Sequence, residues 1–484
     1  MIKRFFHVFL CFVFVQLLAG CTTNPATGEN QFTALMSPQQ EVQIGAQEHQ
    51  KIMAQYGLYK DQNLQNYVDR VGKKVVRHTE RPEVNYQFFL LDSPMVNAFA
   101  LPGGYIYLTR GLLSLANNES EMASVLAHET GHITARHSAE RYSRGVVTSL
   151  GAMIISTAVG SSGVSQALGM GTDLYIKSYS RGQEDQADTL GIRYLTRSGY
   201  SPMGMSGFLM NLQADTALEA KIDGKKASSA TNYFSTHPAT QQRVNKTIVE
   251  GRHYAQQGVV NRDSYLRMLD GMIYGDSAEQ GFVRDQNFYH PELGFKFSVP
   301  SGYKIINQPR QVLAVAKNGS VIVFDFARNE NGLSPMRFLK ESWMKGEPTV
   351  NGAQNITVNG MPAATASFKG SVNGKKMDIR LVAIQWSATQ IVRFQIGIPP
   401  GLSTTQINAL KSTTYSFKRL SSQEKRNLQP YRLKIITSKA GDSVASLSKR
   451  MAQKDFKAER FRVLNGLKPN EDVVANRLYK IVVE

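Results

Sequence analysis

Cysteine is nearly absent: the 484-residue chain has two, Cys11 and Cys21, too few for a disulfide framework. Low-complexity tracts and internal repeats are also missing, which excludes a fibrous chain, a disordered chain and a solenoid. Acidic residues are in deficit, with 38 Asp/Glu against 56 Lys/Arg and a net charge of +18. That excess suits anionic partners such as membrane lipid, cell-wall polymer or nucleic acid, and equally a soluble basic surface with no specific partner. Hydrophobic residues make up 42% of the chain, enough at this length for sizeable cores in about three domains.

The two cysteines sit in an informative place. Met1-Ile2-Lys3-Arg4 is a short basic start, Phe5 to Leu18 is apolar without a charge, and Leu18-Ala19-Gly20-Cys21 follows. This is the layout of a signal peptide, too short and wrongly flanked for a membrane-spanning helix. The small residues before Cys21 resemble a bacterial lipobox, so residues 1–20 are expected to be removed and Cys21 to carry lipid. The resemblance implies an outer-membrane lipoprotein facing the periplasm. Cleavage would also remove Cys11 and leave no free thiol.

Residues 21–40, polar and containing Pro25 and Pro38, read as a tether. Helical spacing predicts helices over Val42–Tyr56 and Asp61–His78, and β-branched and aromatic residues predict a strand over Val84–Leu91. Asn97-Ala98-Phe99-Ala100 and Tyr105-Ile106-Tyr107-Leu108 flank Pro102-Gly103-Gly104 and read as two strands around a turn. Asn118 with Glu121 opens a helix expected to run to about Arg141, and Tyr179–Leu195 returns to helix. The uncharged run Val146–Thr172 is long enough to span a bilayer, but its scattered Gly and Ser favour a buried helix and loop. Beyond about residue 285, alternating β-formers and the Asn318-Gly319 and Asn373-Gly374 pairs signal antiparallel hairpins. A polar linker is expected over Leu420–Pro430. The fold class is thus α+β: a mostly helical domain with a small edge sheet (41–270), an antiparallel β-rich module (285–418), and a small basic β/α tail (431–484).

The chemistry is concentrated in His128-Glu129-Thr130-Gly131-His132. On a helix, positions four apart share a face, so both imidazoles reach one metal ion while Glu129 stands beside them as a base. A third histidine at the metzincin spacing is missing, since Ala135 and Ser138 occupy those positions. His137, nine residues from His128, would lie on the opposite side of a continuous helix. Glu184 is the better third ligand, with Asp188 one turn later placed to accept a hydrogen bond from a ligand histidine.

Together, Asn97–Ala100 with Pro102-Gly103-Gly104, His128–His132, Glu184–Asp188, and Ser235-Thr236-His237-Pro238 with Arg243 resemble the gluzincin-type zinc metallopeptidase family that includes HtpX, BepA and LoiP. The resemblance covers about residues 40–255. It implies one Zn²⁺ per chain held by His128, His132 and Glu184, with Glu129 as general base. It implies too that the Asn97-Ala98-Phe99-Ala100 strand pairs with an extended substrate. His237 would close the site or stabilise an oxyanion, with Arg243 as its partner or as an organising charge.

Gly441-Asp442-Ser443, Leu447 and Asn465-Gly466-Leu467 give the tail a weak LysM-like look, and residues 421–484 hold 14 Lys/Arg against 7 Asp/Glu. Peptidoglycan is one partner that this suggests; a charged, non-binding appendage is the other reading. No basic helix with base-reading residues points to nucleic acid. The expected function is a zinc endopeptidase acting on unfolded or misassembled envelope proteins. The alternatives are a chaperone or assembly scaffold with a closed site, and a wall-binding protein.

Overall fold

The computed structural model describes residues 21–146, 178–224, 237, 240–254, 258–345, 351–372 and 374–484. The expected signal peptide and all of the uncharged run after Val146 lie outside them. Among the described residues no helix is long and apolar enough to cross a membrane. The chain divides into two compact units, Met1–Gly275 with Tyr431–Glu484, and Asp276–Pro430.

In the first unit, the residues read as a tether begin with a short hairpin, β1 (Cys21–Thr23) and β2 (Asn30–Phe32). Helix α1 (Pro38–Tyr56) starts at a capping box of Ser37 and Gln40, and α2 (Gln62–Val76) at Asp61. The apolar stripe of α2, Leu64, Tyr67, Val68, Val71 and Val75, is buried, as its helical spacing requires. Strands β3 (Gln87–Leu91), β4 (Ala98–Leu101) and β5 (Tyr105–Thr109) form a sheet in the order β3-β5-β4, which leaves β4 at an edge. Gly103 and Gly104, with φ of 82° and 105°, make the tight β4–β5 turn. A Cβ on Gly104 would stand 2.5 Å from the Asn85 carbonyl oxygen.

Helix α3 (Arg110–Leu115) leads into α4 (Glu119–Thr134), whose N-cap Asn118 accepts from the Glu121 amide. Every residue of α4 is buried, the mark of a helix surrounded by protein. It ends at Thr134, short of the expected Arg141. Arg136 takes a left-handed φ of 54°, and its guanidinium donates to Glu41 Oε1, Thr33 Oγ1 and the Met36 carbonyl. Those tertiary bonds hold a residue type that rarely adopts this conformation, and the chain turns before resuming as helix at 137. Helices α5 (Arg181–Arg197), α6 (Met203–Asp223), α7 (Gln241–His253) and α8 (Arg262–Met268) follow. Gly131 on α4 and Gly191 on α5 let these two helices come together: a Cβ on Gly131 would lie 3.0 Å from the Ala187 carbonyl oxygen, and one on Gly191 3.2 Å from the His128 nitrogen.

The tail contributes β6 (Arg432–Thr437), α9 (Val444–Ser448), α10 (Lys457–Leu464) and β7 (Leu478–Val483), with β6 and β7 antiparallel. Its apolar residues, among them Leu433, Leu447, Phe461 and Val482, join the same core as Val68, Leu112, Val125 and Leu209. Lys480 is buried and donates from Nζ to the carbonyls of Ser114 and Ala116, each at 2.7 Å. So short a segment has little core of its own, and burial against α3, α4 and α6 supplies it.

The second unit holds an antiparallel seven-stranded sheet, Tyr303 to Ile398, and a four-stranded one around a phenylalanine-rich core. Asn318-Gly319 turns between antiparallel strands, with Gly319 at φ 86°. The polar stretch expected as a linker carries a short helix, Ser422–Asn427, opened by a capping box of Ser421 and Glu424.

Candidate metal centre

Helix α4 presents His128 and His132 one turn apart, and α5 presents Glu184 against them. The side chains of His128, His132, Glu184 and His237 each offer one donor atom, all within 4.8 Å of one another and all buried. His128 Nε2 lies 3.1 Å from His132 Nε2, 3.5 Å from Glu184 Oε2 and 3.3 Å from His237 Nδ1. His237 Nδ1 lies 2.9 Å from Glu184 Oε1. Three imidazole nitrogens and one carboxylate oxygen, desolvated and convergent, are a donor set that fits a borderline transition metal.

Around these four stands a charged frame. His128 Nδ1 is 2.9 Å from Asp188 Oδ1 on the next turn of α5. Arg243, on α7, reaches both acids: Nε and Nη2 donate to Asp188 at 2.7 and 2.8 Å, and Nη1 stands 2.7 Å from Glu184 Oε2. Burial opposes charge on Asp188, Glu184 and His128. On Asp188 and Glu184 it is outweighed, by Arg243 for the first and by His237 and His128 for the second, so both carboxyls sit below their ordinary values. Burial also pushes His128 down, but Asp188 and Glu184 reverse it and hold the imidazole up at about 9. His132 is driven well below its ordinary value by burial and by His128. Glu129 is fully buried, with Oε1 3.6 Å from His237 Nε2.

The structure therefore gathers the six residues singled out from sequence as ligands, base and frame (His128, Glu129, His132, Glu184, Asp188 and Arg243) around one point and brings His237 in with them. Arg243 grips both acids, Asp188 and Glu184. Of Asn97-Ala98-Phe99-Ala100, the last three lie in edge strand β4 and Asn97 precedes it. A cavity of about 200 Å³ is lined both by Ala100, Leu101, Pro102 and Gly103 and by His132. Ser235, Thr236 and Pro238 lie outside the described residues.

One expectation is corrected. His137 does not face away from the site: because α4 stops at Thr134, the chain doubles back and puts His137 Nδ1 2.8 Å from His132 Nδ1. Burial pushes this imidazole down to about 4. Tyr179 is a residue that spacing did not point to; its ring stacks on His132 with centroids 3.8 Å apart, and Arg141 lies 4.3 Å from the tyrosine ring centroid. Neither contact has a periodic sequence signal, since one depends on a left-handed residue and the other on a distant segment.

Residues 62–248 match the model of peptidase family M48. The chain carries an M48 metallopeptidase domain. The family is metal-dependent, in keeping with the donor set above. The beta-barrel assembly-enhancing protease of Yersinia pestis is 31% identical over 277 residues, 55% of this chain and 54% of that protein. The protein of the same name in Escherichia coli is 31% identical over 228 residues, 45% of this chain and 44% of that one. The mitochondrial metalloendopeptidase OMA1 of Schizosaccharomyces pombe is 27% identical over 214 residues, 43% and 59% of the two chains. The chain thus spans about half the length of the curated relatives it matches.

Proposed function

We propose that this protein is a zinc-dependent endopeptidase of the bacterial envelope, acting on extended or misfolded proteins. The observation that carries the reading is the convergence of four buried donors beside a buried glutamate in an M48 domain. His128, His132 and Glu184 would hold the ion. Zinc, when bound, supplies Lewis acidity and a more acidic water. Glu129 takes the proton of the attacking water and passes it to the leaving amine. His237, the donor that comes from neither α4 nor α5, is the one that withdraws to admit substrate and then donates to the developing oxyanion. Arg243 keeps Glu184 and Asp188 in place and does not meet substrate. Edge strand β4 offers backbone groups to an extended chain, so selection rests more on extension than on side-chain identity. Similarity to proteins named for enhancing β-barrel assembly favours outer-membrane proteins as the substrate class.

Cleavage of casein by the full chain, beside its Glu129→Gln variant, tests this. Cleavage by the first alone supports it; cleavage by both removes Glu129 from the role. The second reading, an assembly scaffold with the site shut, is favoured by the presence of His237 among the donors, and it requires His237→Ala to gain no cleavage. Anchoring at the outer membrane through Cys21 rests on the residues before it. It predicts acyl labelling that Cys21→Ser abolishes. Peptidoglycan binding by the tail would be seen as sedimentation of the full chain with purified sacculi.

A further inference from the structure

The two histidines of the donor cluster are braced differently. His128 faces a carboxylate directly: its Nδ1 stands 2.9 Å from Asp188 Oδ1. A carboxylate accepts only, so the ring proton belongs on Nδ1 and the Nε2 lone pair is left facing the other donors. Among the described residues, no carboxylate stands at His132 Nδ1. His137 stands there instead, Nδ1 to Nδ1 at 2.8 Å. Two ring nitrogens in contact leave the direction of the hydrogen bond open, and only one direction leaves His132 Nε2 bare.

The rest of the chain settles that direction. His137 Nε2 lies 2.9 Å from Gln186 Oε1 on α5, and Gln186 Nε2 donates to Glu29, at the start of β2's approach from the N-terminal hairpin. Glu29 can only accept, so the Gln186 amide must turn its NH₂ toward Glu29 and its oxygen toward His137. An oxygen at that position requires the His137 proton on Nε2, which leaves His137 Nδ1 as an acceptor. His132 must then donate from Nδ1, and its Nε2 lone pair points into the cluster. His132 and His137 are buried, so water cannot readily substitute for a lost partner.

We propose that Glu29, Gln186 and His137 form a polarised hydrogen-bond relay that fixes the tautomer and orientation of His132 for metal binding. His137 and Gln186 act through His132 and are positioning residues. The inference deepens the zinc reading by assigning His132 the counterpart of the Asp188 brace on His128. It also ties Glu29 of the N-terminal hairpin, eight residues beyond Cys21, to the metal centre.

Two measurements test it. Long-range ¹H–¹⁵N correlation on the metal-free full chain should place protons on His132 Nδ1 and His137 Nε2; a proton on His137 Nδ1 overturns the relay whether or not zinc binds. Zinc affinity by chelator competition should fall about 10- to 100-fold in His137→Leu. It should return to within a few-fold of the parent in His137→Asn, whose side-chain oxygen can stand where Nδ1 stood. Gln186→Leu, which leaves both histidines in place, should fall in the same direction by a smaller factor and serves if His137→Leu does not fold. Affinities within twofold of the parent for His137→Leu, or for Gln186→Leu in its place, overturn the proposal. Failure of the parent chain itself to take zinc is a failure of the zinc reading, and the tautomer measurement still decides the relay.

Discussion

Gly131 lies inside the His128–His132 turn, where α4 presses against the α5 backbone between Glu184 and Asp188. A Cβ added there would stand 3.0 Å from the Ala187 carbonyl oxygen and 3.1 Å from Ala187 Cα. Ordinary contact for such a carbon begins near 3.4 Å, and backbone atoms cannot rotate aside, so Gly131→Ala must move the helices apart by several tenths of an ångström. Two effects oppose each other. Alanine is favoured over glycine in a helix interior by about 1 kcal/mol, while overpacking a tight interface costs about 1–3 kcal/mol. The expected net is a loss of about 0–2 kcal/mol, a fall in Tm of a few degrees. Zinc affinity should suffer more clearly, because metal–ligand distances tolerate only about ±0.2 Å and α5 carries Glu184. We expect a loss of about tenfold, read by chelator competition alongside thermal unfolding. Gly182→Ala is the control: it lies on the same helix as Glu184, its Cβ would meet nothing within 4 Å, and affinity should not change. If Gly131→Ala raises Tm by the whole propensity gain and leaves zinc affinity untouched, the close approach of α4 and α5 does not set the ligand geometry.

Lys480→Met removes the donor that serves the buried carbonyls of Ser114 and Ala116; unfolding in urea should show a loss of about 2–4 kcal/mol, and no loss would mean the tail is not part of this core. Arg243→Met leaves Asp188 and Glu184 buried without their cation, at a cost of about 3–5 kcal/mol in the metal-free protein. Added zinc should recover part of that loss in thermal melts, and a metal-free Tm equal to the parent's would refute the organising role. Glu80 accepts from Arg193, Arg197 and Tyr194, and although burial works against its charge these partners hold its carboxyl below the ordinary 4.5. The stability it contributes is present above pH 4.5 and lost as pH falls through the folded value. The acid limb of stability against pH should therefore be shallower in Glu80→Gln, and superimposable limbs would show that Glu80 contributes nothing there.

Several features of this protein follow from neighbouring residues alone. The i, i+4 spacing of His128 and His132 puts two imidazoles on one side of any helix that contains them, whatever surrounds it. Asn118 and Ser180 can cap helices because their side chains reach only three residues ahead, and the turn at Asn318-Gly319 needs nothing beyond a glycine that tolerates positive φ. What lay beyond local pattern depended on long-range contacts. Arg136 breaks the active-site helix only because Glu41, Thr33 and Met36, about a hundred residues earlier, bind its guanidinium. That break swings His137 from the far side of an imagined helix to the back of His132. Lys480 likewise looks like one more charge in a basic tail until the fold buries it against Ser114 and Ala116. Helix periodicity and caps are settled over a few residues of backbone, whereas a left-handed residue or a buried ammonium persists only where distant groups supply its hydrogen bonds. Sequence thus determined which residues could bind a metal, and tertiary structure decided which of them meet and how each imidazole is held.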